Sequence, residues 1–382
     1  MAIKSSRRGG VAPFIVMDVL REANARAARG ESVLHLEVGQ PATPAPRNVI
    51  DVARRALDGD RLGYTDAFGL PELRARIARH YWESYGVEVP AARIVVCTGS
   101  SSGFVLAFLA AFDAGDRVAL AVPGYPAYRN ILAALGLEPV LIETGPETRF
   151  QPTPEILERL GGRLDGLIVA SPANPTGSMI RPGDLEPLTG YCRRRGIRLV
   201  SDEIYHGIVF GAAAETALAF EPEAIVVNSF SKYYSMTGWR LGWMVVPESL
   251  LRAVECLTQN LYISPPTLSQ LAGIAAFDCR DELDANVARY AENRRLLLGE
   301  LPKAGFDKLA PADGAFYLYA DVGALTNDSA EFCRRMLAET GVAATPGLDF
   351  DPQRGNRFVR FSFAGATADM AEAARRLVAW KK

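Results

Sequence analysis

The feature that most limits what this chain can fold into is a series of short, apolar, β-branched runs that end in turn residues and give way to helical stretches. They are Arg93–Cys97, Arg117–Val122, Gly166–Ala170, Arg198–Ser201, Ala224–Asn228 and Gly242–Val246. Strands with one wet face would alternate apolar and polar residues, whereas these runs are nearly continuous, so the pattern predicts strands buried on both faces. Strands of that kind separated by helices build an α/β domain, a mostly parallel mixed sheet sandwiched by helices. The chain has 382 residues, more than one small core needs, and its texture changes after about residue 280. A charged helix containing Ala285–Arg295 leads there to short strands at Gly314–Tyr319 and Arg357–Phe363, which predicts a smaller α+β domain. A helix over Met17–Arg29, ended by Gly30, is expected to pack beside it. The expected division is an N-terminal segment 1–44, a large domain 45–279 and a small C-terminal domain 280–382.

Charge narrows the partners. The 42 basic groups nearly balance 44 acidic ones, for a formal net charge of -2, and nothing calls for nucleic acid or an acidic membrane surface. Cys97, Cys192, Cys256, Cys279 and Cys333 are odd in number and never spaced C-x-x-C, so neither a disulfide framework nor a metal site is expected. They read as small core residues in a reducing compartment. Lys4, Arg7 and Arg8 precede an apolar run from Val11 to Met17, but Pro13 breaks the run and Asp18 stops it, so no export signal is read. The longest strongly apolar stretch, Phe104–Phe112, is far short of the ~20 residues that cross a bilayer. A cytoplasmic location is expected.

In parallel sheets ligands sit beyond the carboxyl ends of the strands, so the residues just after each run carry the chemistry. Lys232 follows Val226–Ser231, and an exposed lysine is the ordinary reading of it. Turned inward, its pKa would fall from ~10.4 and supply a neutral amine able to attack an aldehyde. Arg240 is a cation placed to assist or to hold a phosphate, with a surface ion pair as the alternative. Asp202 closes Leu199–Asp202, and either caps a helix or pairs with a protonated pyridine nitrogen, keeping such a ring able to absorb electrons. Tyr205 and the rigid Asn174 amide, in Ser171–Gly177, would then bond a phenolic oxygen on that ring. The Asn174–Pro175 bond is a candidate cis peptide.

Thr98–Gly103 opens an apolar helix, so its amides and the Ser100 and Ser101 hydroxyls make an anion site. The same residues spell G-x-S-x-G, the nucleophile elbow of hydrolases, with Ser101 as nucleophile. That rival needs a histidine, and of His35, His80 and His206 only the last follows Ser101, four residues past Asp202. Tyr125 and Tyr128 end another strand, and Tyr125, nearer the strand, is chosen to lie against a ring. Arg360 sits among three phenylalanines in an alternating strand, either facing outward or clamping a carboxylate.

Asn174, Asp202, Tyr205, Ser229, Ser231, Lys232, Arg240 and Arg360, in this order, resemble the class I and II aminotransferases of the fold-type-I pyridoxal-phosphate family. The resemblance spans nearly the whole chain. Its most specific part is Ser229–Gly242, similar to the family's Schiff-base signature, with Asn174–Gly177 and Asp202–Tyr205 at suitable intervals. It implies a cofactor, pyridoxal 5'-phosphate, held by Lys232 as a Schiff base and cradled at its phosphate by Ser100, Ser101, Ser229, Ser231 and Arg240. It further implies that Gly39 and Arg360 bind the substrate carboxylate, and that Tyr64 reaches the phosphate of a neighbouring subunit, hence a homodimer with shared active sites. The implied reaction moves an amino group between an L-amino acid and a 2-oxo acid in two alternating halves. A carbon-sulfur β-lyase of the same fold would use the same lysine, aspartate and arginine. A cofactor-binding transcription regulator would need a DNA-binding module, for which the segment before Val11 leaves no room. Donor choice would depend on loops such as Phe14–Val19 and the region of Tyr262.

Overall fold

The computed structural model describes residues 3–59 and 62–380. Its strands are β1 (Leu34–His35), β2 (Ile94–Cys97), β3 (Arg117–Val122), β4 (Glu138–Glu143), β5 (Gly166–Ala170), β6 (Arg198–Asp202), β7 (Ile225–Ser229), β8 (Gly242–Val245), β9 (Lys308–Leu309), β10 (Tyr317–Asp321), β11 (Val342–Ala343), β12 (Thr345–Pro346) and β13 (Phe358–Ser362). Seven of them form the central sheet in the order β2-β8-β7-β6-β5-β3-β4. All its pairings are parallel except those of β8, which runs against both β2 and β7.

The continuous apolar runs have the expected cause. Along β2, Ile94 and Val96 enter one hydrophobic core while Val95 and Cys97 enter another on the opposite face. The same division separates Leu167 and Val169 from Ile168, and Val226 from Ile225 and Val227. Period-two alternation is present, but both sides are covered, so it cannot show as a polar pattern. Strand β4 was not among the expected runs. Its Glu138 and Pro139 disguise an edge strand that pairs only with β3, the position where such residues are tolerated.

A second sheet, β12-β13-β10-β9, is antiparallel throughout. It packs with the helices Arg280–Glu300 and Thr367–Ala379 around a separate core that includes Phe306, Phe316, Phe361 and Leu377. The N-terminal stretch joins this region, since β1 pairs in parallel with β11. Its helix runs Ile15–Ala28, beginning two residues and ending one residue before the expected bounds. No helix among the described residues is long and apolar enough to cross a membrane.

Candidate active site

The strands β2, β3, β5, β6 and β7 point the same way, and registers such as Ala170 with Asp202 and Asp202 with Val227 bring their carboxyl ends to one edge. A cavity of about 450 Å³ opens there. Each strand end delivers one part of its wall.

After β7 the chain turns through Ser231 to Lys232, whose Nζ donates to the Gly39 carbonyl at 2.7 Å. Burial, with the Arg360 and Arg240 charges, brings this amine down to about 8, against the opposing pull of Asp202. Asp202 itself is pushed up to about 6 by burial, despite hydrogen bonds from the Tyr128 hydroxyl and the Ile204 amide and the nearby Lys232 charge. The amine and the carboxylate on this wall therefore both sit displaced from their ordinary ranges.

Arg360 is fully enclosed. One of its nitrogens donates to Asn174 Oδ1 at 2.9 Å, another to the Glu37 carbonyl and to the Thr345 hydroxyl. Its plane lies over the rings of Tyr317 and Phe350 at 4.5 and 4.8 Å, and its Nε has no partner. The outward reading is thus excluded: β13 is buried on both faces, with Phe361 in the C-terminal core and Arg360 on the cavity side. Because Asn174 Oδ1 accepts from Arg360, its amide nitrogen is left as the donor toward the cavity. Asn174–Pro175 is cis, as are Val122–Pro123 and Ser171–Pro172.

At the other end, the helix Gly99–Ala111 begins on the cavity with no side-chain cap on its first amides, and Ser100 and Ser101 line the wall there. Ser102 instead turns back to the Gly99 carbonyl at 2.9 Å. A Cβ at Gly99, where φ is +75°, would collide with the Arg240 guanidinium, so only glycine lets that cation reach the helix start. Helix amides, hydroxyls and a guanidinium converge as an anion cradle requires. Tyr125 lines the same wall, its ring held edge-on between Phe14 and Tyr128. The donor set therefore fits a phosphorylated pyridine aldehyde: anion cradle at one end, carboxylate at the other, amine between.

Two selected residues lie off this wall. Ser229 is buried, accepting from the Ser231 amide at 3.0 Å and donating to the Leu241 carbonyl at 3.4 Å, so it braces the turn and does not line the cavity. Tyr64 is 83% exposed, on a loop tied to the 264–267 segment through Thr65 and Thr267. Sequence reasoning missed Tyr317, whose hydroxyl bonds that of Tyr205 at 2.6 Å and whose approach requires Gly39 to lack a Cβ. It also passed over Tyr128 as the partner of Asp202; the three-residue spacing from Tyr125 at a helix start was the available signal. Among the described residues, the hydrolase alternative finds no triad through His206. His206 pairs with the Tyr85 hydroxyl at 2.7 Å and the Ser171 carbonyl at 3.0 Å, and it lines a second cavity of about 410 Å³.

The family model described as aminotransferase class I and II matches residues 31–377. A valine–pyruvate aminotransferase of Mycobacterium tuberculosis is 53% identical over 384 aligned residues, covering 100% of this chain and 99% of that one. An aspartate aminotransferase of Thermotoga maritima is 32% identical, with 94% of each chain covered. Among solved structures, an aminotransferase from Mycobacterium tuberculosis superposes with a TM-score of 0.97 at 52% identity, over 99% of each chain. The aspartate aminotransferase of Thermus thermophilus with maleate gives 0.94 at 30% identity, over 99% and 100%.

Proposed function

The chain belongs to the class I and II aminotransferases, and from that premise we propose that this pyridoxal-phosphate enzyme takes its amino group from a small apolar L-amino acid, with valine and pyruvate the leading donor and acceptor. The observation that carries the substrate class is the cavity lining. Among the described residues its cations are Lys232, Arg240 and Arg360. The first is the amine for the cofactor aldehyde, the second belongs to the phosphate cradle and the third takes the α-carboxylate. On this chain none remains for a second carboxylate, while Phe14, Val16, Met17 and Ile204 offer apolar surface that favours an aliphatic side chain. The 53% identical valine–pyruvate enzyme supports the same choice over the more distant aspartate enzymes.

In this reading Ser100, Ser101, Ser231 and Arg240 hold the phosphate, with Ser229 bracing Ser231. Tyr125 covers the ring, and Tyr205 and Asn174 donate to its phenolic oxygen. The Asp202 carboxylate would accept a hydrogen bond from the protonated ring nitrogen and keep that proton in place, and the bound cofactor would then supply a sink for the electron pair left on the substrate Cα. Arg360 grips the α-carboxylate through its planar fork, assisted by the backbone of Gly39. Lys232 Nζ, lowered to about 8 and so a free amine only in part at neutral pH, would take the Cα proton once displaced and return it at the cofactor C4′. Two such half-reactions share one site and give ping-pong kinetics. We also propose a homodimer in which Tyr64 reaches the partner's phosphate, the division into 1–44, 45–279 and 280–382, and a cytoplasmic location, the last supported by five free cysteines.

A panel of amino donors with pyruvate as acceptor, and of 2-oxo acids with the best donor, tests the substrate reading. Valine and its close aliphatic relatives are expected to lead. Aspartate outrunning them would overturn it.

A further inference from the structure

The apolar wall is delivered by the first turn of the helix Ile15–Ala28, and that turn is capped in an unusual way. A helix start leaves amides without partners, and the residue before it ordinarily supplies a hydroxyl or carboxylate. Here that residue is Phe14, which makes no capping bond. Its ring is spent on the cavity wall instead, edge-on to Tyr125 at 5.7 Å. The missing cap comes from the far end of the chain. Asp349 Oδ1 accepts from the Ile15 amide and Oδ2 from the Val16 amide, each at 3.1 Å, so one carboxylate satisfies two orphan donors and sits where the helix dipole favours negative charge.

Asp349 is itself buried and fixed. Its backbone carbonyl accepts from Arg129 at 2.6 Å, and Asn130 ties the strand of chain before the helix by donating to the Ala12 carbonyl at 3.3 Å. The next residue, Phe350, lies under the Arg360 guanidinium. The group that would hold the substrate carboxylate and the cap that holds the apolar wall are therefore neighbours on one turn. The distance between carboxylate clamp and side-chain wall is set by this turn.

We propose that Asp349 is a positioning residue for substrate choice: by capping the helix Ile15–Ala28 it holds Phe14, Val16 and Met17 against the amino-acid side chain at a fixed distance from Arg360. The inference rests on the apolar-donor reading above. Alanine, too short to reach the wall, gains little from it, whereas the branched carbons of valine gain what a methyl-sized contact gives in an apolar pocket, roughly tenfold or more.

The test uses the holoenzyme and its Asp349→Ala and Asp349→Asn variants, the second retaining one acceptor oxygen. Three quantities are measured: kcat/KM for valine and alanine, binding of 3-methylbutanoate against propanoate by calorimetry, and hydrogen exchange of the amides at 15–18. For Asp349→Ala the valine-to-alanine ratio and the 3-methylbutanoate preference are expected to fall about tenfold, with alanine turnover kept within about threefold and faster exchange at 15–18. Asp349→Asn should lie between. An unchanged ratio, or equal losses for both amino acids, overturns the inference while leaving the substrate reading intact. A wild type that prefers aspartate to valine overturns the substrate reading, and the inference with it.

Discussion

Asp202 and Tyr205 face the cavity that holds Lys232, whereas Glu203 and His206, each one residue further on, serve the opposite wall. In front, Asp202 has two partners, Tyr128 and the Ile204 amide, and Lys232 has the Gly39 carbonyl. Behind, Glu203 Oε1 alone accepts from the Ser201 and Thr216 hydroxyls and the Ala217 amide at 2.9 to 3.1 Å. His206 is bonded through both ring nitrogens, to Tyr85 and Ser171. Burial displaces the titrations on both sides, raising Glu203 to about 7 and lowering His206 to about 4. What differs is the set of neighbours: the front groups border the cavity with Lys232 among them, while behind, Glu203 Oε1 and both His206 ring nitrogens are taken up by the protein's own hydroxyls and backbone groups. A perturbed pKa alone therefore does not mark a reactive group; geometry decides.

The sharpest way to break this contrast is a pair of truncations. Lys232→Ala is expected to lower kcat by about 10⁴-fold or more, since it removes both the proton carrier and the covalent anchor, with the thermal midpoint of the apo protein unchanged or raised. Glu203→Ala should do the reverse: a loss of about 3 to 5 kcal/mol of stability from three stranded donors and a void, with kcat of the folded fraction within about threefold. Steady-state kinetics and denaturant titration on the two variants suffice, and a Glu203 variant that stays stable but inactive would erase the distinction.

The front face was far more legible in the sequence than the back. Strand ends followed by small, polar or cyclic residues mark ligand edges in parallel sheets, so Lys232, Asp202, Asn174 and Ser100 could be found from chain order alone. Arg360 could not be oriented, because in/out alternation assumes one dry face and β13 has two. Tyr317 gave no signal, since its role depends on two sheets meeting and on Gly39 yielding space. Ser229 carries the family's motif but the local turn consumes its hydroxyl. Glu203 and His206 were invisible as a unit because their partners, Thr216, Ala217 and Tyr85, come from segments that carry no motif.

Arg360 sharpens the comparison at intermediate strength. Its guanidinium already donates to Asn174, Glu37 and Thr345, so Arg360→Lys keeps a charge but not the fork that addresses a carboxylate while holding those partners. Losing one charge-assisted hydrogen bond of about 1.5 to 3 kcal/mol should raise the KM of every amino donor by roughly 10- to 100-fold, whatever its side chain. A loss confined to valine would instead place Arg360 with the side-chain wall and detach it from the carboxylate.

The smallest expected effect is a displacement along the pH axis, and it separates front from rear without any loss of fold. Lys232 titrates at about 8 because burial and the arginines outweigh the attraction of Asp202. Only the neutral amine attacks an aldehyde, so the rate at which the apo protein captures pyridoxal phosphate should fall about tenfold per pH unit below 8 and level off above it. Asp202 is the neighbour that favours the ammonium form. Asp202→Asn removes that attraction, and the inflection moves to lower pH, toward easier deprotonation. Glu203→Gln, one residue away but absent from the groups acting on Lys232, should leave the inflection where it is. Stopped-flow absorbance across the pH range reads both, and a Glu203→Gln shift as large as that of Asp202→Asn would mean that the two faces share one electrostatic site.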